Sequence, residues 1–462
     1  MILTCPLQKI HFIGIGGIGM SAIAEMLLDL GFAVQGSDAK ESANTQRLRQ
    51  NGIPVFIGHD ASHIVDVDAV VISSAITEKN PELAEARLRR LPIGHRSEML
   101  AEILHYKQSI CVSGTHGKTT TSSLVAHVLM SAGLDPSFVI GGILNSERSN
   151  ARLGKGDYVV VEADESDGSF LKLPTSISIV TNIEPEHMDF YKTFETVKNA
   201  YTHFMKSTAF YGVCIACIDH DIVREVVERV DNRRCITFGT KEEADVQARN
   251  IRLVSSVQVF DIRIRTDDGV RYIKDVCLSM IGRHNILNAL GAVCVGLYLG
   301  ISDDIIQKAL ASFEGIQRRL TYRGTLNSVP VYDDYGHHPT EIKATLQGIR
   351  EHIKGKVIAV FQPHRYSRLQ DLWDGFLTCF DEADEVYVCD VYSAGEEPLE
   401  GITAPAFARV LGLTHSKAVY LPMLEDLVTI THGLTSADAV VCLGAGTISS
   451  QTIALLEQFK EK

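Results

Sequence analysis

At 462 residues the chain has room for about three domains, each with its own core. Its 45% hydrophobic and 22% charged residues are those of a globular protein, and a formal net charge of −13 without a long Lys/Arg run excludes bulk attraction to nucleic acid or an anionic membrane. Pro6 and Gln8 stand where a signal peptide would have its apolar core, and the apolar runs are too short to span a bilayer, so a cytoplasmic location is expected.

Lys9–Ile13 reads as a strand. A glycine turn, Gly14-Ile15-Gly16-Gly17-Ile18-Gly19, and a helix to about Leu30 follow, and a second strand ends at Ser37-Asp38. Such a Gly-x-Gly-x-x-Gly turn with an acid about 20 residues on predicts a pyrophosphate at the helix N-terminus and Asp38 near a ribose or base. An NAD site is the default for that pattern, although the glycines specify a diphosphate and not the nucleotide that carries it. Alternatively they only let helix pack on strand. Ala69–Ser73 is a buried strand whose carboxyl end offers Ser73 and Ser74 as ligand contacts. After a short strand at Pro92–His95, Arg96 opens a helix to about Tyr106, either as an anion partner or as a solvated charge. The first domain is expected to span residues 1–107.

The next strand leads into Gly114-Thr115-His116-Gly117-Lys118-Thr119-Thr120 and an amphipathic helix. Backbone N–H groups and a helix N-terminus converge there on one spot, as a phosphate chain requires. Lys118 is expected on the β/γ-phosphates and the Thr119 hydroxyl on Mg²⁺. The longer P-loop pattern has a further glycine where this chain has Val112, so the loop is the short Gly-x-x-Gly-Lys-Thr form. Tyr158–Val161 is a buried strand ending in Glu162-Ala-Asp164-Glu165-Ser-Asp167. Carboxylates there suit the Mg²⁺ of a nucleotide, Glu162 first among them, with some of Asp164, Glu165 and Asp167 expected to be solvated. The strand Ile177–Thr181 leads to His187, which either ligates a second metal ion or is a surface histidine.

A hairpin at Val257–Arg265 and Val270–Val276 precedes a helix opened by Gly282-Arg-His284-Asn285-Ile-Leu-Asn288. Asn288 can share a face with His284 or Asn285, and asparagine amides match an adenine edge, with helix capping as the competing role of Asn285. The second domain is expected to span 108–314.

The third, 315–462, alternates strand and helix: Val329–Tyr332, a helix after Pro339, Lys356–Phe361, Glu385–Val391, Ala439–Leu443 and a last helix after Gly444-Ala-Gly446-Thr447. Two polar clusters stand at strand ends. Asp333-Asp334-Tyr335-Gly-His337-His338 and Pro363-His364-Arg365-Tyr-Ser-Arg368 together can hold a small anionic molecule. Fold class is therefore α/β throughout.

The ten cysteines lie mostly in strand-like runs and read as buried, reduced thiols. Cys214-Ile-Ala-Cys217 lacks the second ligand pair of a zinc site and the helix start of a redox motif.

Seven of these stretches occur in one order: Gly14–Ser21, Gly114–Thr120, Glu162–Asp167, Thr181–Asp189, Gly282–Asn285, Asp333–Pro339 and Pro363–Arg368. In this the whole chain resembles the Mur ligases of peptidoglycan synthesis, most of all the members that add L-alanine. The resemblance implies a Rossmann-like N-terminal domain for a UDP-sugar, a central P-loop ATPase-like domain with a mixed sheet, and a Rossmann-like C-terminal domain for the amino acid. It implies ATP and Mg²⁺, and as partners UDP-N-acetylmuramate and L-alanine, with no nucleic acid and no membrane; monomer or dimer is left open. Gly14, Gly16, Gly17, Ile18 and Gly19 would then hold a uridine diphosphate, and Glu162 and His187 the magnesium ions. His284 and Asn285 would face adenine, and Arg319 and Asp334 would hold ATP. Tyr335, His337, His364, Arg365 and Arg368 would line the reacting end, the two arginines clamping a carboxylate. His337 or His364 is the candidate acceptor of the amine proton. Several siblings have a carbamylated lysine where this chain has Thr202, so that modification is not expected. A tripeptide-adding murein ligase is the nearest rival. A folate-type polyglutamate ligase would lack the first glycine turn, and an NAD-dependent oxidoreductase would leave residues 114–119 unexplained.

Overall fold

The computed structural model describes residues 8–73, 75–104, 107–147, 149–254, 257–415 and 417–460. Pro6, Ser74 and Tyr106 lie outside them. The chain forms two compact units, one of residues 1–251, 259–277 and 287–314, the other of residues 252–258, 278–286 and 315–462. Among the described residues no helix is long and apolar enough to cross a membrane.

The first unit begins with a five-stranded parallel sheet in the order Val55–Ile57, Ala33–Asp38, Lys9–Ile13, Ala69–Ile72, Ile93–His95. The order reverses beside the central strand, which is where a doubly wound sheet opens a crevice at its carboxyl edge. Ile10, Phe12 and Ile13 of that strand are at most 1% exposed, as helices on both faces require.

Farther along, Cys235–Gly239, Val213–Cys217, Ile177–Val180, Gln108–Ser113, Tyr158–Glu162 and Ser137–Leu144 run parallel in that order. Ser149–Arg152 closes one edge antiparallel. This hairpin edge escaped the sequence reading because Ser-Asn-Ala-Arg has no alternation of its own and is a strand only through its partner. The helix Lys118–Ser131 is buried over most of its surface, including Thr119, Thr120, Thr121, Ser122 and Ser123.

The second unit holds a six-stranded sheet, Thr321–Leu326, Val329–Asp334, Ala439–Leu443, Val357–Phe361, Glu385–Val388, Ala418–Tyr420. All neighbours are parallel except the first pair. Thr321–Leu326 was also not expected: Gly324 interrupts it, and pairing with Val329–Asp334 holds it extended. The architecture is thus α/β in three sheets, as expected.

Candidate functional site

The first glycine turn is folded by its own backbone. Gly14 takes φ +80°, which favours glycine, and the N–H groups of Gly14 and Ile15 both donate to the Ser37 carbonyl, at 2.8 and 2.9 Å. Asp38 Oδ2 accepts the Gly16 N–H at 2.8 Å, so the acid expected near a ribose latches the loop. A Cβ on Gly19 would stand 2.6 Å from Arg96 Nη1: the guanidinium covers the start of the Ile18–Asp29 helix, where an anion would sit. The Ser73 hydroxyl lies beside Gly14.

The second glycine turn is clamped from the neighbouring strand end. Thr181 Oγ1 donates to the His116 carbonyl at 2.6 Å, and Asn182 both accepts the His116 N–H at 2.7 Å and donates to its carbonyl at 2.8 Å. In the sequence Thr181 and Asn182 are only the approach to His187; what marks them is that they follow the strand paired with Gln108–Ser113. Gly117 has φ +83° at the helix start, and Asn288 Oδ1 fills the space beside its Cα. Asn288 also accepts from Thr121 Oγ1 at 3.3 Å, so this residue, expected at adenine, buttresses the loop.

Lys118 Nζ donates to the carbonyls of Gly114 and Thr115 at 2.6 and 3.1 Å and to Glu165 Oε1 at 2.9 Å. Burial alone would discharge this ammonium, but Glu165, Asp164 and Glu162 outweigh it and hold the group well above the ordinary lysine range. For Glu165 the balance goes the other way, burial lifting its carboxyl to about 7 against the pull of Lys118. Glu165, 3% exposed, is no solvated loop acid; the sequence places it among the carboxylates suited to Mg²⁺ but does not express its pairing with Lys118. Asp164 and Asp167 accept the N–H groups of Ser166 and Ser169, at 3.0 and 2.9 Å, and brace the turn.

Thr119 Oγ1 donates to Glu162 Oε1 at 2.6 Å, and the other Glu162 oxygen accepts the Gly141 N–H. His187 stands beside two further carboxylates. It has φ +56°, and its Nε2 stands 3.9 Å from Glu165 Oε1; donor atoms of Glu165, Glu186 and His187 lie within 4.8 Å of one another. Oxygen-rich donors of this kind fit a hard divalent cation, in two groups: Thr119 with Glu162, and His187 with Glu165 and Glu186.

The second unit gathers the residues expected at the reacting end. The Tyr335 and His337 rings meet edge to face at 5.3 Å, His337 and His364 are 6.2 Å apart, and His364 stacks on Tyr392 at 5.4 Å. Arg368 Nη1 donates to His364 Nδ1 at 3.2 Å, while Arg365 Nη1 is 3.8 Å from Glu396. Burial and the charges of Arg368, His337 and Arg365 push His364 down to about 4. Arg318 packs over the Tyr335 ring at 4.6 Å and donates to the Gly444 carbonyl at 2.7 Å, tying the last glycine turn to this cluster. Tyr392, Arg318 and Glu396 were not singled out in the sequence, since each lies outside the two polar clusters. Asp334 is inward-facing, accepting from Leu320 N, Gly336 N and Thr345 Oγ1 at 2.7, 2.8 and 3.3 Å; it orders the strand end beside Arg319, which is 4.0 Å from Glu341. Burial, aided by Arg319, pushes His284 down to about 4, and Asn285 Nδ2 donates to the Ile281 carbonyl at 2.6 Å.

Three family models match in succession: "Mur ligase family, catalytic domain" over residues 9–108, "Mur ligase middle domain" over 112–296, and "Mur ligase, glutamate ligase domain" over 318–446. A UDP-N-acetylmuramate–L-alanine ligase of a Bradyrhizobium species is 50% identical over 466 residues, covering 100% of this chain and 99% of its own. One from Methylorubrum populi is 51% identical over 459 residues, covering 98% of each. The crystal structure of the UDP-N-acetylmuramate–alanine ligase of Thermotoga maritima superposes with a TM-score of 0.82 at 30% identity, covering 98% of this chain and 99% of its own. Matched along nearly its whole length by family models and relatives alike, the chain belongs to the Mur ligase family.

Proposed function

We propose that this chain joins L-alanine to the carboxylate of UDP-N-acetylmuramate at the expense of ATP, yielding ADP, phosphate and the alanyl product. One observation carries the reading: half of all positions are identical, end to end, to ligases named for that reaction. The chemistry of the residues agrees. The muramic-acid carboxylate attacks the γ-phosphate and becomes an acyl phosphate. The amine of L-alanine then attacks the acyl carbonyl, and inorganic phosphate leaves with the C–O electron pair.

Positioning and charge neutralisation govern phosphoryl transfer. Lys118 supplies a fixed positive charge at the turn, and the N–H groups of residues 114–120 would cradle the phosphates. Thr119 with Glu162, and His187 with Glu165 and Glu186, would hold Mg²⁺, which supplies further charge neutralisation on the phosphate oxygens when bound. The Gly14–Gly19 turn with Arg96 and Ser73 would take the uridine diphosphate, Asp38 keeping the turn in shape. Tyr335, His337, His364, Arg365 and Arg368 would take L-alanine; His364, neutral above about pH 5, spends its one ring electron pair on Arg368 and would take the amine proton there once Arg368 turns to the alanine carboxylate. Three functional regions would divide at 107 and 314, and cytoplasmic action goes with ATP and a UDP-sugar as substrates.

The test is phosphate release with UDP-N-acetylmuramate and a panel of amino acids and peptides. Release dependent on both UDP-N-acetylmuramate and L-alanine is expected. Release with a tripeptide and none with L-alanine would make the chain a murein peptide ligase, and NADH oxidation without phosphate release would overturn the ligase reading altogether.

A further inference from the structure

Cys214 and Cys235 are register partners on the adjacent parallel strands Val213–Cys217 and Cys235–Gly239. Register partners of a parallel ladder point to one face, and neighbouring strands lie about 4.8 Å apart. That is inside the Cα separation of roughly 4.4–6.8 Å that a disulfide bridges. Cys217, three residues beyond Cys214 in the same strand, faces the opposite side. The Cys-x-x-Cys spacing of the sequence therefore conceals the pair that meets.

The surroundings of Cys214 differ from those of the other buried thiols. Its sulfur is 3.3 Å from the Met205 carbonyl and 3.6 Å from Thr208 Oγ1, which in turn donates to Ser178 Oγ at 2.9 Å. Arg233 donates to the Thr208 carbonyl and brings a positive charge alongside. The Cys235 thiol first of all, helped against burial by Ser178, Thr208 and Arg233, draws the Cys214 thiol below its ordinary range. Burial first of all pushes Cys111, Cys217, Cys389 and Cys442 up to about 12. Cys235 is partly exposed, and Cys214, fully buried, lies directly beside it in the register. Cys214 registers with Ser178 near the amino ends of the strands, whereas the clamp at Thr181 and Asn182 follows their carboxyl ends.

We propose that Cys214 and Cys235 are a reversible thiol modification site, closing to a disulfide on exposure to peroxide. The Cys214 thiolate attacks one peroxide oxygen and breaks the O–O bond, giving a sulfenic acid and, with one proton, water. The Cys235 thiol then displaces hydroxide from that sulfur, its proton completing a second water. Two electrons pass from the two thiols to the peroxide, and a dithiol returns them.

The test treats the full chain with graded hydrogen peroxide, alkylates the remaining thiols and maps the digest by mass spectrometry. A Cys214–Cys235 linked peptide that dithiothreitol abolishes is expected, with two fewer alkylated positions among the ten cysteines. Cys235→Ser should leave Cys214 as a sulfenic acid trapped by dimedone, and Cys214→Ser should protect Cys235 at the same dose. A link from Cys214 to any other cysteine, or irreversible oxidation of Cys235 in the unsubstituted chain before any link appears, overturns the proposal.

Discussion

Lys118 Nζ is 2.9 Å from Glu165 Oε1, an ion pair inside the turn that a triphosphate would enter. The ammonium is ready for a phosphate and already neutralised, so binding is an exchange of one anion for another. Lys118→Met should lower phosphate release by about two to three orders of magnitude, the usual loss when a charge stabiliser is removed from transferring groups. Glu165→Gln should lower kcat and raise the Mg²⁺ requirement without raising KM for ATP at saturating Mg²⁺, because the carboxylate is a proposed metal ligand and aligns Lys118 but also competes with the phosphate. A raised KM for ATP in Glu165→Gln would mean the carboxylate acts only in binding.

Glu162 is joined to Thr119 by a 2.6 Å hydrogen bond. As proposed ligands of one cation they should fail together. Glu162→Gln should raise the free Mg²⁺ needed for half-maximal rate by about tenfold or more, and Thr119→Val should do the same. Mg²⁺ titrations indistinguishable from those of the unsubstituted enzyme would remove both residues from the metal site.

Arg368 and His364 are held together at 3.2 Å, so neither is independent of the other. His364→Ala or Arg368→Lys should raise KM for L-alanine about tenfold or more, the cost of losing a charge-assisted contact, and leave KM for ATP unchanged. Because His364 titrates near 4, the rate profile between pH 6 and 8 should not move in His364→Gln. A displaced limb in that window would show that substrate binding raises its pKa.

Glu82, fully buried, receives Ser37 Oγ at 2.5 Å and stands 2.6 Å from His63, 3.2 Å from His59 and 3.5 Å from His11. Burial opposes its ionisation, but nearby His11 together with the hydrogen bonds of Ser37 and His63 prevails and lowers it from 4.5 to about 2. A folded-state pKa below the unfolded one stabilises the fold above pH 4.5, and that stability is lost as the pH falls towards 2. The shift corresponds to about 3 kcal/mol. Glu82→Gln should therefore be less stable in urea at pH 7, with the gap to the parent narrowing below pH 4.5. A gap constant with pH would assign the effect to packing.

The phosphate-binding turns were legible in the sequence because everything they need is contiguous. A strand, glycines able to take φ near +80° and a helix start are encoded within a dozen or so residues, and local backbone preference suffices to form them. Gly14 and Gly117 behave in this way. The buried parallel strands were legible for the same reason, as unbroken apolar runs.

Which side chains meet at those turns was decided only by tertiary structure. Glu165 reaches Lys118 across 47 residues because Tyr158–Glu162 lies next to Gln108–Ser113, and neither motif contains that adjacency. Tyr392 stacks on His364, Asn288 props Gly117, and Asp38 turns to its own loop, each through packing that no spacing expresses. Cys214 finds Cys235, not Cys217, since strand geometry sends residues three apart to opposite faces and sheet register brings distant ones together. Local propensity acts over a few residues, whereas sheet order and register determine which side chains meet across the fold.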